Sequence, residues 1–109
     1  MKLDYKKIRE DEEINLLIEK GNEILKELGY TEHSRKHAAK VAAEAGNILE
    51  QLGYKPQKVE LARIAGYMHD IGNSINRHDH AHTGAILAYQ ILQNRGMELK
   101  KILTVTTAI

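Results

Sequence analysis

The chain contains no cysteine, tryptophan or phenylalanine, and it has a single proline among 109 residues. Without cysteine, disulfide bonds and thiolate metal sites are excluded. The sequence also lacks an apolar stretch near its start and a hydrophobic run of about 18 residues, which are the features of a signal peptide and a membrane-spanning helix. We therefore expect a chain that is neither exported nor embedded in a membrane, with a cytoplasmic location.

The charges of the chain nearly cancel, since 16 basic residues stand against 15 acidic ones and leave a formal net charge of +1. A basic surface for duplex nucleic acid or for an anionic membrane is therefore not expected. The expected partner is a small molecule, and any phosphate binding should be local. A length of 109 residues suits one core, so residues 1–109 are expected to form a single helical domain.

Apolar residues recur at steps of three and four, the period of an amphipathic α-helix, and no alternating strand pattern accompanies them. Turn residues divide this pattern at Gly29, at 53–56, at 72–74 and at Gly96. Gly29 and Gly72 are each expected to end a helix, and a loop is expected from Asn73 to about His78. The predicted helices run from Asp11 to Leu28, from about Ser34 to Gly53, from Pro56 to Asp70, from roughly Asp79, and from Glu98 onward. The sequence thus predicts an all-α fold, a compact bundle of about five helices.

The periodic apolar positions predict which residues form the core. They are Ile14, Leu17, Ile18, Ile24, Leu25 and Leu28 in the first helix; Ala38, Val41, Ala42, Ala45, Ile48, Leu49 and Leu52 in the second; Leu61, Ala62, Ile64, Ala65 and Met68 in the third; Ala85, Ile86, Ala88, Tyr89 and Leu92 in the fourth; and Leu99, Ile102, Leu103, Val105 and Thr106 in the fifth. The exposed apolar end of the last helix is expected to favour association with a second chain.

Six histidines lie in three short clusters near the ends of predicted helices, where side chains of different helices can converge. His37 follows a helix start, and the positive end of the helix dipole favours the neutral imidazole that a metal ligand requires. His69 and Asp70 are adjacent, so both can reach one ion only if it lies over the ridge between them. Imidazole and carboxylate ligands suit Fe, Mn, Co, Ni or Zn, with Mg as a further option. An open site of this kind lowers the pKa of bound water and polarises a phosphoryl oxygen.

Three short motifs follow one another in the sequence: His37-x-x-x-Val41-Ala42, then Met68-His69-Asp70-Ile71-Gly72-Asn73, then His80-Ala81-x-x-Gly84-Ala85. Together they resemble the HD superfamily of metal-dependent phosphohydrolases over roughly residues 31–109. The resemblance implies an all-α bundle in which His37, His69 and Asp70 bind a first divalent ion and His80 binds a second. The implied cofactor is one or two divalent ions, and Asp70 is the implied catalytic residue, bridging the ions where two are bound.

The sequence departs from the family pattern in two places. Many relatives have lysine where this chain has Asn73, which leaves Arg77, Lys40 or Arg35 as cations for a substrate phosphate, and we expect phosphate contacts from Asn73, Arg77 and Lys40. The last Asp ligand of the family would follow residues 106–109, where the sequence stops. We therefore expect a truncated domain, whose activity alone is in question, or a site completed by a neighbouring subunit. A homodimer that exchanges its last helix fits the second case.

The residues and the resemblance together predict a metal-dependent phosphohydrolase that acts on a nucleotide or another phosphate ester by metal-activated water. The alternative is a catalytically impaired regulatory domain that binds a nucleotide and signals through oligomerisation. A helical scaffold without chemistry ranks last, because it makes the histidine clusters a coincidence. The sequence assigns no role to His33, His78 or His82.

Overall fold

The computed structural model describes residues 3–109, and within them the regular structure is helical with no β-strand. This part of the chain holds six α-helices and one 3₁₀ turn: α1 (Tyr5–Arg9), α2 (Glu12–Glu27), α3 (Arg35–Gln51), α4 (Pro56–Met68), the 3₁₀ turn (Ile71–Ser74), α5 (His80–Asn94) and α6 (Leu99–Ala108). The prediction of an all-α fold is confirmed. None of the helices described is long and apolar enough to cross a membrane.

The short helix α1 is absent from the sequence prediction, because five residues are too few to show a helical period. The backbone N–H of Tyr5 donates to Oε2 of Glu60 on α4 at 2.6 Å, and the side chain of Ile8 is fully buried. An isolated helix of this length would not be stable in water. Packing against α4 therefore holds α1 in place.

α3 and α4 form the largest helix–helix interface of the fold. The buried stripe of α3 consists of small residues at steps of four: Ala38, Ala42 and Gly46. A Cβ atom on Gly66 of α4 would lie 3.0 Å from the backbone of Ala42, so the two helices approach closely. This stripe turns Ile48 and Leu52 outward, where they are 57% and 68% exposed. The prediction that these two residues face the core is wrong, because small side chains rather than large ones mark the contact face of α3.

Further apolar residues expected in the core are exposed, namely Leu28, Ile86, Leu99 and Leu103. These residues lie on helix faces that no other described helix covers, so the buried stripe is narrower than the apolar stripe. The core is a continuous cluster that confirms the predicted residues Ile14, Ile18, Ile64, Met68, Leu92, Ile102 and Val105. It also contains Ile8, Tyr67 and Ile71, which were not predicted. α6 takes part in this core by packing against α4 and α5 of its own chain.

The 3₁₀ turn lies between α2 and α5 and packs against both. The sequence predicts a helix as far as Asp70 and a loop from Asn73. In the structure α4 ends at Met68, and Asn73 lies inside the 3₁₀ turn. Gly72 does not end a helix in the left-handed conformation, since positive φ angles among the described residues occur at Gly29, Gly53 and Gly96. A Cβ atom on Gly72 would overlap the carbonyl oxygen of His80 and lie 2.7 Å from the backbone nitrogen of Gly84. Glycine is therefore needed at position 72 for close contact with α5.

Arg95 at the end of α5 joins this helix to the start of α2. Its Nε atom donates to Oδ2 of Asp11 at 2.7 Å, and its Nη2 atom donates to Oδ1 of Asp11 at 3.2 Å and to Oε1 of Glu13 at 2.8 Å. Asp11 also caps α2, because its Oδ1 accepts the backbone N–H of Ile14 at 3.1 Å. Burial alone would raise the pKa of Asp11, but the bonds from Arg95 and Ile14 lower it overall.

Replacing Gly72→Ala is expected to destabilise the fold by about 1–3 kcal/mol, since the added methyl group meets backbone rather than a flexible side chain. Gly84→Ala, on the other side of the same contact, is expected to cost less, because its Cβ would lie 3.3 Å from the backbone nitrogen of Gly72. Urea denaturation followed by circular dichroism measures both free energies of unfolding. Equal losses in the two variants would contradict the contact described for Gly72.

Replacing Arg95→Met is expected to lower the free energy of unfolding at neutral pH by about 1 kcal/mol. Because the pKa of Asp11 is lowered in the folded protein, its contribution is present above its ordinary pKa of 3.8 and is lost as the pH falls through the folded value. The difference between parent and variant should therefore shrink below pH 3.8. Lys20→Met is the control, since Lys20 only approaches Glu23 at 4.0 Å on the surface. A difference that stays constant down to low pH would contradict this interpretation.

Candidate metal centre

The carboxylate of Asp70 is the point at which side chains from separate parts of the fold meet. Its Oδ2 atom lies 2.9 Å from Nδ1 of His33, 3.1 Å from Nε2 of His69 and 3.6 Å from Nε2 of His37. Its Oδ1 atom lies 3.7 Å from Nε2 of His80. Among residues 3–109, these four histidines are the ones whose rings lie within ion-pair distance of the Asp70 carboxylate. The side chain of Asp70 is 12% exposed. The arrangement is a half-buried carboxylate surrounded by nitrogen donors.

The ring of His69 is held by the last turn of α4. Its Nδ1 atom lies 2.7 Å from the carbonyl oxygen of Gly66. A carbonyl oxygen only accepts, so Nδ1 carries the proton, and Nε2 of the neutral ring directs a lone pair at Oδ2 of Asp70. Two lone pairs facing each other at 3.1 Å require a proton or a cation between them. Metal-ligating histidines typically donate their other ring N–H to a backbone carbonyl in this way.

His33 and His37 approach the carboxylate from the start of α3. His33 lies in the link before this helix, where its backbone N–H donates to Oδ1 of Asn22 at 2.8 Å. His37 lies in the first turn, and its ring contacts those of His33 and His69 with centroids 5.0 Å and 5.5 Å away. The three rings therefore form one contiguous wall beside Asp70.

The protonation states in this cluster follow from its packing. Burial lowers the pKa of His37, and the nearby rings of His33 and His69 lower it further, against the opposing effect of Asp70. His37 is therefore neutral at pH 7. Burial would raise the pKa of Asp70, but hydrogen bonds from His69 and His33 lower it well below its usual range. For His69, burial lowers the pKa, while the bonds to Asp70 and to the Gly66 carbonyl raise it overall. An ionised carboxylate and a neutral imidazole are the forms that bind metal.

The donor atoms fit a divalent ion. His33, His37 and Asp70 each offer one ligand atom, and these atoms all lie within 4.8 Å of one another. An ion about 2.1 Å from each of its ligand atoms holds neighbouring ligand atoms roughly 3–4 Å apart. The separations around Asp70 Oδ2, from 2.9 to 3.6 Å, are of this size. His33, His37 and Asp70 could therefore hold a divalent ion, with His33 in the set where the sequence predicted His69.

The structure brings the predicted ligands His37, His69 and Asp70 together and places His80 at the other oxygen of Asp70. Their assignment as metal ligands stays a prediction. His33 also lies at Asp70, although it has no counterpart in the three sequence motifs and has, like His78 and His82, no predicted role. His33 lies before the extended cap residue Ser34, so the helical period of α3 gives no signal that places its ring beside that of His37.

The remaining histidines lie away from this centre. His82 pairs with Asp79 through a contact of 2.9 Å between Nδ1 and Oδ1, and its side chain is 85% exposed. His78 is exposed before the start of α5. These two rings serve as controls for experiments on the cluster.

The three residues predicted to contact phosphate lie in different environments. Arg77 lies beside the centre, with Nη1 3.0 Å from Nδ1 of His80. Lys40 is exposed on α3, one turn after His37. Asn73 is 2% exposed and its Cβ packs against Gly21 of α2, so its side chain is not accessible to a phosphate group. Asn73 is therefore not a phosphate ligand in this structure, because the packing of the 3₁₀ turn buries its side chain.

Comparison with known proteins gives two matches. The family model described as HD domain matches residues 30–107. An uncharacterized protein of Methanocaldococcus jannaschii is 30% identical over 85% of this chain and 42% of its own length. The chain thus spans less than half of the length of that curated relative. No solved structure gives a significant match to this chain.

The cluster predicts a ranked loss of metal affinity. Asp70→Asn removes the charge shared by four imidazoles and is expected to weaken Mn²⁺ or Zn²⁺ binding by at least about 100-fold. His37→Gln and His33→Gln should each weaken binding by roughly 10–100-fold. His82→Gln is the matched control and should bind like the parent. Isothermal titration calorimetry with each metal measures these affinities. Parent-like binding by Asp70→Asn would contradict a metal centre at this position.

Proposed function

This chain belongs to the HD-domain superfamily, whose members are generally metal-dependent phosphohydrolases, and we propose that it hydrolyses a phosphate ester at the cluster around Asp70. The observation that carries the proposal is the orientation of His69. Its Nδ1–H is committed to the carbonyl of Gly66, while its Nε2 faces the carboxylate of Asp70 at 3.1 Å, a contact that requires either a proton or a cation. A divalent cation between these two groups satisfies both.

Each side chain of the cluster has a distinct task in this proposal. His37 and His69 present Nε2 atoms, and Asp70 presents an ionised carboxylate, as the ligands of the first ion. His33 either adds Nδ1 to this set or donates its Nδ1–H to Oδ2 of Asp70 and so orients the carboxylate. His80 lies 3.7 Å from Oδ1 of Asp70 and would be the ligand of a second ion. When bound, the metal lowers the pKa of a coordinated water and polarises a phosphoryl oxygen.

The choice of metal follows from the donor atoms. Imidazole nitrogens outnumber carboxylate oxygens in the cluster, and the chain has no cysteine. Such a set favours Mn, Fe, Co, Ni or Zn over Mg, which prefers oxygen ligands in an octahedron. We propose one or two ions of this group.

The substrate is proposed to be a nucleotide or another small phosphate ester, and the reaction to take place in the cytoplasm. A homodimer is also proposed, supported by exposed apolar side chains such as Ile48 and Leu52 on α3. Exchange of the last helix would require α6 to leave its own α4 and α5, against which it packs.

The regulatory alternative is separated from the enzyme by a turnover assay on metal-loaded protein. Substrates should include phosphomonoesters, phosphodiesters and nucleoside mono-, di- and triphosphates, with release of phosphate or nucleoside as the signal. We expect hydrolysis of at least one class, and Asp70→Asn should lower kcat by roughly 100-fold or more, whereas His82→Gln should not. Nucleotide binding without turnover would favour the regulatory domain. Absence of metal binding would overturn the enzyme.

A further inference from the structure

Arg77 lies between two segments that flank the metal centre. Its guanidinium carbon is 4.8 Å from the centroid of the Tyr30 ring, which belongs to the link between α2 and α3. Its Nη1 atom is 3.0 Å from Nδ1 of His80, the first residue of α5. The ring of His80 therefore lies between the guanidinium of Arg77 and the carboxylate of Asp70. Its Nε2 atom is 3.7 Å from Oδ1 of Asp70.

Nδ1 of His80 has two neighbours, one of which requires this atom to accept a hydrogen bond and the other to donate one. The guanidinium of Arg77 only donates, so its contact at 3.0 Å requires Nδ1 to be an acceptor without a proton. The backbone carbonyl oxygen of Arg77, at 3.2 Å, only accepts, so that contact requires a proton on Nδ1. A single ring cannot make both hydrogen bonds at once, and the position of one proton decides between them.

A cation at His80 settles this conflict in one direction. A neutral imidazole that gives the lone pair of Nε2 to a metal carries its proton on Nδ1. The Nδ1–H of His80 then donates to the carbonyl oxygen of Arg77, and the guanidinium loses its acceptor. Its other neighbour is the face of Tyr30, which attracts a cation and keeps the guanidinium at the edge of the centre.

In the part of the chain that the structure describes, Arg77 differs from Arg95 and Arg35 in having no carboxylate partner, and among the arginines without one it is the arginine that contacts His80. Arg95 is paired with Asp11 and Glu13, and Arg35 lies 3.8 Å from Glu19. Across residues 3–109, no carboxylate lies within ion-pair distance of Arg77. Once released from His80, its planar fork of N–H donors has no anionic partner from the chain and suits the paired oxygens of a phosphoryl group.

We propose that Arg77 and Tyr30 form a phosphoryl-binding subsite beside the metal centre, which becomes available when a cation binds Nε2 of His80. The inference rests on the proposed function and deepens it, because it couples the ion at His80 to binding of the substrate phosphate. By linkage, phosphate tightens metal binding by the same factor by which the metal tightens phosphate binding.

The position of the proton on His80 tests the first half of this proposal. In protein with ¹⁵N-labelled histidine, long-range ¹H–¹⁵N spectra distinguish the two tautomers, and Zn²⁺ is a suitable diamagnetic probe. We expect the proton of His80 on Nε2 without metal and on Nδ1 with stoichiometric Zn²⁺. A proton already on Nδ1 without metal, or Zn²⁺ binding that leaves the His80 tautomer unchanged, would overturn the proposal.

Binding of inorganic phosphate to Zn²⁺-loaded protein, measured by calorimetry, tests the second half. Arg77→Met should weaken phosphate binding by roughly 10–100-fold, and Arg77→Lys should recover only part of this loss because lysine lacks the planar fork. Tyr30→Leu should weaken it less. Arg63→Met, at an arginine whose side chain packs against Gly46 of α3, is the matched control with parent-like affinity. Circular dichroism confirms that each variant is folded.

The outcomes separate this proposal from the proposed function. Parent-like phosphate affinity in Arg77→Met, together with normal Zn²⁺ binding, would overturn the Arg77 subsite and leave the metal centre standing. Failure of the parent to bind Zn²⁺ would overturn both. Phosphate affinity that falls in Arg77→Met only when Zn²⁺ is present supports the coupling, whereas an equal fall with and without metal contradicts it.

Discussion

The packing of the 3₁₀ turn between α2 and α5 is the constraint on which the rest of the centre depends. Asp70 directly precedes this turn, and Gly72 lets the backbone of α5 approach it without an intervening side chain. On the opposite side, Gly21 of α2 leaves room for the buried Asn73. The carboxylate is therefore held by backbone contacts on both sides, and the same contacts bring His80 to its Oδ1 atom.

One carboxylate among several imidazoles also sets the electrostatics of the centre. Hydrogen bonds from His33 and His69 keep Asp70 ionised despite its burial, while burial helps to keep His37 neutral. The ring of His69 cannot rotate freely, because its Nδ1 is bound to the carbonyl of Gly66. The positions and the charges of these side chains thus arise from the same contacts, and the cluster could hold a cation without large rearrangement.

The sequence motifs predicted which residues meet at Asp70 better than the sequence predicted the conformation of the segments around them. The order of His37, the His69–Asp70 pair and His80 along the chain corresponds to residues that meet in space. The sequence did not predict that His33 lies at Asp70, because His33 precedes the cap of α3, where no periodic pattern assigns a direction to its side chain. Asn73 was predicted to begin a loop and to contact phosphate. Its burial depends on a contact with Gly21, which lies far away in the sequence.

The sequence by itself determined the all-α class, the turns at Gly29, Gly53 and Gly96, and the neighbourhood of His37, His69 and Asp70. These features depend on local periodicity, on backbone conformations that glycine favours and on short motifs. Only the tertiary structure decided that Ile48 and Leu52 face outward, that Asn73 is buried, and that Arg77 reaches both Tyr30 and His80. The physical reason is that close packing between distant segments determines which face of a helix is buried. An apolar period in the sequence indicates the possible faces but does not determine which of them is buried.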